Sequence, residues 1–132
     1  MTEWRAITEP PLPHPFPHSL SNDEWVIISG VVGISPEGEL PEDTTQQTKF
    51  AIDHLRHALE AAGSGLHEIV YLKPYVSRRE YAAELNEVVR EALPTPLPAS
   101  GALTVVGLLD DRMRVEFEAW AHRGAQLRKA EQ

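Results

Sequence analysis

A chain of 132 residues, 42% of them hydrophobic, can bury one modest core, which argues against wholesale disorder and predicts a single domain. Its formal net charge of −8 argues against nucleic acid as a partner, because phosphate binding depends on clustered Lys and Arg. The absence of cysteine excludes disulfides and thiolate chemistry and suits a cytoplasmic protein. No apolar run approaches the roughly 20 residues of a membrane span, and the N-terminus lacks the apolar segment of a signal peptide.

The first third of the chain predicts three strands and one proline-rich loop. A short strand is expected over 3–7. Prolines at alternate positions of 10–17 then fix φ and remove backbone N–H donors, which predicts an extended loop. The β-branched and aromatic residues over 25–30 predict a second strand. A third strand is expected over 31–34, before a proline-glycine turn at 35–38.

A helix is predicted over 44–62, because apolar residues recur on one face at spacings of three and four. The residues of this apolar stripe are Ile52, Leu55, Leu59 and Ala62. Asp43 or Thr44 is suited to cap the first turn of this helix. Gly63 is suited to end it, because glycine readily adopts the left-handed conformation.

A strand and a second helix are predicted next. The segment 68–76 is rich in β-branched and aromatic residues, but Pro74 removes a ladder donor, as is typical of an edge or bulged strand. The following helix is expected over 78–93, with a second apolar stripe. Ser77 and Glu80 fit the capping-box pattern at its start.

Two closing strands are predicted over 102–109 and 113–122, joined by a hairpin turn at Asp110-Asp111-Arg112. The tail 124–132 is polar and is expected to fray. The order β-β-β-α-β-α-β-β favours an α+β fold, in which a mixed sheet carries two helices packed on one face. The other face of that sheet carries enough apolar residues that we expect other subunits to cover it.

Three motifs stand in a fixed order along the chain: Trp25-Val-Ile-Ile-Ser-Gly30, Leu59-Glu-Ala-Ala-Gly63 and Val115-Glu-Phe-Glu-Ala119. Together with the turn between the first two, this set resembles the Rid (YjgF/L-PSP) family over about residues 15–123. The resemblance implies a single Rid-family domain over 1–132, with a chorismate-mutase-like fold and its core over about 3–123. It also implies a homotrimer with a central β-barrel. Clefts between its subunits would bind a small molecule and hydrolyse enamines or imines without metal or cofactor.

The resemblance also suggests site residues. Glu116 matches the acidic residue of the family's final strand and is the candidate catalytic residue. The family's Ser-Gly pair is present as Ser29 and Gly30. Phe16 stands where the family often has a tyrosine, so the phenolic hydroxyl is missing. Together with His18, these residues are expected to line the substrate-binding cleft.

One family position departs from the pattern. Family deaminases carry an arginine in a Pro-Ala-Arg-Ser stretch, whereas this chain reads Pro98-Ala99-Ser100-Gly101. Counting forward from Pro98 places Ser100 at the arginine position, and counting back from Glu116 places Gly101 there. Both are predicted to shape the cleft. Because a guanidinium binds a carboxylate bidentately, we expect carboxylated amino-acid imines to be poor substrates.

Glu116 and Glu118 alternate with apolar residues, which predicts that both glutamates lie on one face of a strand. Arg112 and Arg114 are expected on the same face if the strand extends that far. On the functional interpretation, Glu116 activates a water as a general base, with its pKa raised by burial near a second carboxylate. On the structural interpretation, Arg114 or hydrogen bonds hold both glutamates within a trimer interior.

The remaining candidate residues carry weaker signals. His14 and His18 are four residues apart, but they lie in an extended loop without a third ligand nearby, so no metal site is predicted. Arg78 and Arg79 replace the missing cation only if the fold brings them to the cleft. Three aromatic residues are either core or cleft residues: Tyr71, Tyr75 and Trp120.

Two functions are consistent with these residues. The first is an enzyme that hydrolyses an enamine, an imine or a related small reactive metabolite, with Glu116 in an interface cleft. The second is a non-catalytic trimer that binds a small molecule or a partner protein. Glu116 favours the first function. The missing arginine and the missing hydroxyl at Phe16 favour the second.

Overall fold

A computed structural model describes residues 3–131 as one mixed six-stranded sheet and two α-helices, with strand order β1-β2-β3-β6-β4-β5. The elements are β1 (Arg5–Ile7), β2 (Ser19–Ser21), β3 (Trp25–Val32), α1 (Thr44–Ala61), β4 (Ile69–Val76), α2 (Ala82–Ala92), β5 (Thr104–Val105) and β6 (Val115–His122). Neighbouring strands are antiparallel except β4 and β5, which are parallel. This architecture confirms the predicted α+β class.

One hydrophobic core joins both helices to a single face of the sheet. The apolar stripe of α1, with Leu55 and Leu59, packs in the same buried cluster as Leu85 of α2. The strands contribute alternate residues to this cluster, among them Val115 and Phe117 of β6. Because side chains alternate between the faces of a strand, the residues between these core positions lie on the opposite face of the sheet.

We call that opposite side of the sheet the open face. It carries the side chains of Leu20, Trp25, Ile27, Tyr71, Lys73, Tyr75, Glu116, Glu118 and Trp120, as the strand registers require. No helix of this chain covers it within the described residues, and Trp120 is 45% and Leu20 41% exposed. An uncovered face with large apolar side chains is typical of a surface that another subunit contacts.

The predicted ends of α1 are confirmed. The side chain of Asp43 accepts a hydrogen bond from the backbone N–H of Thr45, as expected for an N-cap. Gly63 has φ of +80°, the left-handed conformation that favours glycine after a helix. Arg123 strengthens this end of the helix, because its guanidinium donates to the carbonyl of Ala62 at 2.9 Å.

The N-terminal strands differ from the prediction in two ways. The segments 25–30 and 31–34 were expected as two strands, but β3 is one strand whose register on β6 shifts between Ile28 and Val31. The short strand β2, Ser19–Ser21, was not predicted, because two serines around one leucine give little β signal. β2 forms in spite of this low β propensity because it pairs with β1 on one side and with β3 on the other.

The prediction of a C-terminal hairpin is wrong. The strand expected over 102–109 is reduced to Thr104–Val105, which pairs with β4 rather than β6. The preceding chain already follows β4, because the N–H of Leu72 donates to the carbonyl of Ala99 at 2.9 Å. β6 instead lies between β3 and β4. The residues Asp110-Asp111-Arg112 form a turn closed by Met113, but it joins no hairpin.

The position of β4 in the sheet and the place of its register shift also differ from what Pro74 predicted. β4 lies between β6 and β5, and its register shift falls at Ile69 to Tyr71 rather than at the proline. The missing donor of Pro74 faces the gap between Ala99 and Thr104, where β4 has no regular ladder partner.

The predicted capping box is not formed. The N–H of Ser77 donates to the carbonyl of Arg114, so Ser77 continues the pairing with β6, and Arg78, the N-cap residue, makes no side-chain capping hydrogen bond. A 3-10 turn over Arg79–Tyr81 follows, and α2 begins only at Ala82.

Candidate functional site

Glu116 lies on the open face, near the beginning of the inner strand β6. It is half-buried on β6, opposite Val32 of β3 and Tyr75 of β4. Burial raises the pKa of its carboxyl, and the negative charge of Glu118 raises it further. A carboxylate whose pKa is raised is better matched to accepting a proton near neutral pH than an ordinary one. The functional interpretation expected this raised pKa for Glu116, and the structure agrees.

Gly30 provides the space that the Glu116 carboxylate occupies. A Cβ placed on Gly30 would lie 2.5 Å from Oε1 of Glu116, which is closer than real Cβ atoms approach. The bulge of β3 at this point brings the backbone of Gly30 up against the carboxylate. The structure therefore brings Gly30 and Glu116 together, as the family resemblance implied.

Ser29 and His18 lie beside this bulge but are tied to the N-terminal loop. The Ser29 hydroxyl donates to the carbonyl of Pro17 at 2.6 Å, and its N–H donates to the carbonyl of His18. The ring of His18 contacts the carbonyl of Pro10 at 2.5 Å. Because a carbonyl only accepts, Nε2 of His18 carries the proton.

Phe16 is the most exposed of the predicted cleft residues on this side of the sheet. Its side chain is 67% exposed, and its ring centroid lies 5.6 Å from that of His14. Within one subunit, most of the Phe16 side chain is therefore exposed to solvent.

Ser100 and Gly101 lie on the other side of the site, beyond β4. The bridge between Tyr71 and Ala99 holds this segment along the outer edge of β4. Since β4 separates it from β6, it lies about two strand spacings, or roughly 10 Å, from the Glu116 strand. The predicted cleft residues thus span neighbouring strands of one face and do not form one compact cluster within a single chain.

Tyr75 and Glu118 complete the polar part of the open face. The nearby carboxylate of Glu118, together with burial, raises the pKa of Tyr75 to about 12. The Lys73 ammonium lies 5.2 Å from the centre of the Tyr75 ring. Tyr75 therefore remains a neutral hydrogen-bond donor at physiological pH, and it lies directly opposite Glu116.

The arginines predicted near the glutamates lie elsewhere. β6 begins at Val115, and the guanidinium of Arg114 stacks 4.8 Å from the ring centre of Tyr81 on the helical side. Arg112 pairs with Asp110 in the preceding turn. Arg114 therefore does not hold Glu116. The structural interpretation had assigned Arg114 or hydrogen bonds to hold both glutamates, and Arg114 does not do so.

One groove of the described residues lies away from Glu116. It has a volume of about 490 Å³ and is lined by the start of α2 and by the loop after β5. Arg78 lines this groove and Gly101 does not, while the atoms nearest to a Cβ at Gly101 belong to Tyr71 and Lys73. Among residues 3–131, no group of three His, Asp or Glu side chains is arranged to hold a metal ion.

Lys73 is the residue of the open face that the sequence interpretation missed. Its Nζ donates to the carbonyl of Ala102 at 2.6 Å and to the hydroxyl of Thr104 at 2.5 Å. Alternation along Tyr71, Lys73 and Tyr75 could have placed it on the same face as the two aromatic residues.

Comparison with known proteins places the chain in a family. The family model described as Endoribonuclease L-PSP matches residues 7–123. A RutC family protein from Pyrococcus abyssi is 31% identical over 111 residues, which cover 83% of this chain and 87% of that protein. The chain belongs to the Rid (YjgF/L-PSP) family.

Further Rid-family similarities concern both function and fold. A 2-iminobutanoate/2-iminopropanoate deaminase from Mus musculus is 30% identical over 112 residues, covering 83% of this chain and 82% of that protein. The crystal structure of RidA from an Antarctic Psychrobacter is 28% identical, with a TM-score of 0.80 over 89% of this chain and 98% of its own. A Pseudomonas aeruginosa protein of unknown function is 27% identical, with a TM-score of 0.84 over 99% and 100%. These structures confirm the predicted YjgF/L-PSP fold.

Proposed function

We propose that this Rid-family protein hydrolyses enamines or imines, with Glu116 as general base, in clefts between the subunits of a homotrimer. Membership of a family that includes a 2-iminobutanoate/2-iminopropanoate deaminase supports a reactive-intermediate deaminase-like role. The observation that carries the proposal is the half-buried Glu116 carboxyl, whose pKa is raised and which lies against Gly30 on the open face. The uncovered apolar residues of that face support its burial between subunits.

The chemistry requires one water and a series of proton transfers. Glu116 takes a proton from a water whose oxygen forms a bond to the imine carbon, and the double bond to nitrogen becomes a single bond. The proton is then delivered to the nitrogen, which gives a carbinolamine. The carbinol hydroxyl next loses its proton, the nitrogen gains one, the carbon–nitrogen bond breaks, ammonia leaves, and the carbonyl product remains. An enamine enters the same sequence after protonation at its carbon. The atoms balance as imine plus water giving carbonyl compound plus ammonia.

Substrate choice is the part of the proposal that depends on the missing arginine. Neither Ser100 nor Gly101 supplies a guanidinium, so a carboxylated imine lacks the bidentate partner expected in family deaminases. On this ground alone, the favoured substrates are uncharged or cyclic imines rather than small amino-acid imines.

The test is a competition assay with semicarbazide. An amino-acid oxidase and an amine oxidase generate carboxylated and neutral imines in place, and the rate of semicarbazone formation reports the free imine. The protein should suppress semicarbazone formation for at least one imine. Glu116→Gln should reduce this effect about 100- to 10,000-fold, the usual contribution of a general base.

A pair of glycine variants provides a second test and its matched control. Gly30→Ala should displace the flexible end of Glu116 and reduce activity while the fold is retained, because the clash falls on side-chain atoms. Gly107→Ala should leave activity unchanged, since a Cβ there meets nothing within 4 Å. Equal activity of the wild-type protein and Glu116→Gln would contradict the proposed role of Glu116.

A non-catalytic binding module is the second candidate function. The exposed Phe16, which lacks a hydroxyl, and the Ser29 hydroxyl already donating to Pro17 favour it. This function predicts that small molecules raise the melting temperature, because a ligand that binds only the folded state stabilises it. It also predicts that no imine is hydrolysed by either wild type or Glu116→Gln.

A further inference from the structure

The groove at the start of α2 is large enough to hold a small organic molecule. Its volume of about 490 Å³ falls within the range of about 300–1,000 Å³ that is usual for small-molecule sites. Apolar side chains form part of its lining, among them the half-buried Leu40 and Val106 and the buried Met113. Glu116 is not among the residues that line it. The groove is therefore distinct from the site around Glu116.

Arg114 is the half-buried cation of this groove. Its guanidinium stacks on the ring of Tyr81, 4.8 Å from the ring centre, and donates to the hydroxyl of Thr44 at 3.3 Å. Both partners are neutral, and no carboxylate of the described residues forms an ion pair with Arg114. A guanidinium carries five N–H donors, and the hydrogen bond to Thr44 uses one of them. The donors that remain require acceptors from solvent or from a ligand, because a half-buried charge is costly without them.

The fold brings a second arginine, Arg78, to the same groove. The N–H of Ser77 donates to the carbonyl of Arg114, so Arg78 follows directly after a residue that is paired with Arg114. The N–H of Tyr81 donates to the carbonyl of Arg78, which closes a turn between this arginine and the ring on which Arg114 stacks. Arg78 also forms no ion pair within the described part of the chain. Two arginines without carboxylate partners thus line one groove.

The acidic residues of the groove do not cancel the charge of Arg114. Asp110 pairs with Arg112 at 2.8 Å, and hydrogen bonds from Arg112 lower the pKa of Asp110 to about 2, so these two charges compensate each other. Glu42 and Asp111 also line the groove, but both are exposed to solvent, where water and salt screen their charges. The half-buried Arg114 is screened less. The groove therefore favours an anion at Arg114.

We propose that this groove binds a small organic phosphate ester, with its phosphate on Arg114 and Arg78 and its organic part along the apolar lining. A phosphate monoester has three strong acceptor oxygens, so it can accept from two guanidinium groups at once. A carboxylate has two oxygens and is matched by a single guanidinium fork. The groove is larger than an inorganic anion, which leaves room for the organic part. The inference goes beyond the proposed hydrolysis and does not depend on Glu116.

The first test compares four ligands by isothermal titration calorimetry with the full-length wild-type protein. The ligands are phenyl phosphate, benzoate, benzyl alcohol and inorganic phosphate. Phenyl phosphate should bind at one site per chain and about 10-fold or more tightly than each of the others, the range of one charge-assisted hydrogen bond. Equal affinity for benzoate or for inorganic phosphate would overturn the proposed ligand class. The absence of saturable binding of phenyl phosphate would overturn the site itself.

The second test compares two variants that change the net charge equally. Arg78 and Arg79 are neighbouring and exposed, but of the two only Arg78 lines the groove. Arg78→Glu should weaken the binding of phenyl phosphate about 10- to 100-fold, because one charge-assisted hydrogen bond is lost. Arg79→Glu is the matched control and should change the affinity far less. Equal weakening by both variants would show a non-specific attraction to the surface and would overturn the site.

The third test replaces the half-buried guanidinium. Arg114→Lys keeps the positive charge but lacks the planar fork, so it should bind phenyl phosphate about 10-fold more weakly than wild type. Since Arg114 also stacks on Tyr81, urea unfolding checks that the variant is folded. An unchanged affinity in the folded variant would overturn the role of Arg114. If Arg114→Lys does not fold, the comparison of Arg78→Glu with Arg79→Glu still decides whether the site exists.

Discussion

Glu116 owes its raised pKa to its position between two strands. Its carboxylate lies against the backbone of Gly30, and Glu118 on the same strand adds a second negative charge to the same face. Arg114, which would have neutralised this pair, lies on the other side of the sheet against Tyr81. The charged form of Glu116 is therefore destabilised in the folded protein, which costs stability and favours proton transfer.

The first prediction concerns stability and pH. The folded pKa of Glu116 lies above its ordinary value of 4.5, so the folded state holds this proton more tightly than the unfolded state. Its contribution to stability is complete below the unfolded pKa and is lost as pH rises through the folded pKa. Glu116→Gln, which stays neutral, should melt at a higher temperature than wild type at pH 7.

The control for this prediction is the same comparison at acid pH. The difference in melting temperature should shrink as pH falls and should vanish once wild-type Glu116 is protonated in both states. Thermal melts of both proteins from pH 4 to pH 8 measure it. A difference that does not change with pH would show that a lost contact, rather than the charge, explains the effect.

The candidate site was predictable only in part at this scale. The motif around Glu116 and the Ser29-Gly30 pair gave three residues that the structure places together or nearby. Lys73 was missed because its importance depends on the pairing of β4 with the segment around Gly101. That segment is distant in sequence and shows no strand pattern of its own.

The elements around the site are fixed by close contacts between α1 and the strands. Gln47 is buried in α1, and its side chain donates to the carbonyls of Pro41 and Arg112. It also accepts a hydrogen bond from the N–H of Arg114, just before β6. One side chain thus ties the helix to the residues that begin the Glu116 strand. Loss of any of these bonds would leave a buried polar group unpaired.

The second prediction concerns the contact between Gly33, directly after β3, and α1. A Cβ on Gly33 would overlap the backbone carbonyl of Gln47, which cannot move without shifting the helix. Gly33→Ala should therefore destabilise the protein by about 1–3 kcal/mol, the usual effect of overpacking. Urea unfolding measures the change. Gly107→Ala is the control and should change the free energy of unfolding far less, and equal effects would argue against a specific clash.

The helix α1 was predicted well because its signals are local, whereas the predicted start of α2 was wrong. The apolar stripe, Asp43 and Gly63 are all read within α1 or beside it. The short strands β2 and β5 were missed or misplaced because they are defined by partners distant in sequence. The predicted hairpin between the last two strands failed for the same reason, since β4 lies between them.

At the scale of the whole molecule, the open face is the feature that one chain leaves unexplained. Trp120 and Leu20 are large, apolar and more than 40% exposed there, and Glu116 lies among the same strands. Trp120 stacks edge-on against Trp25, with ring centroids 5.9 Å apart, which makes this apolar surface continuous across β3 and β6. Association through this face would bury the surface and close the cleft around Glu116.

The third prediction concerns assembly. The wild-type protein should sediment as a species with three times the mass of one chain. Trp120→Glu should dissociate it into monomers, because a charge would then be buried between subunits. Leu109→Glu is the matched control, since Leu109 is 77% exposed on a loop outside the sheet. A wild-type monomer, or a trimer that survives Trp120→Glu, would contradict association through the open face.

The most direct test of Glu116 as the general base is the pH dependence of kcat/KM in wild type and Glu118→Gln. The acid limb should have an apparent pKa above 4.5 in wild type, because burial and Glu118 both raise the pKa of Glu116. In Glu118→Gln the limb should move to lower pH, since the repulsion from Glu118 is removed. An acid limb that stays in place in this variant, or that persists in Glu116→Gln, would contradict the account.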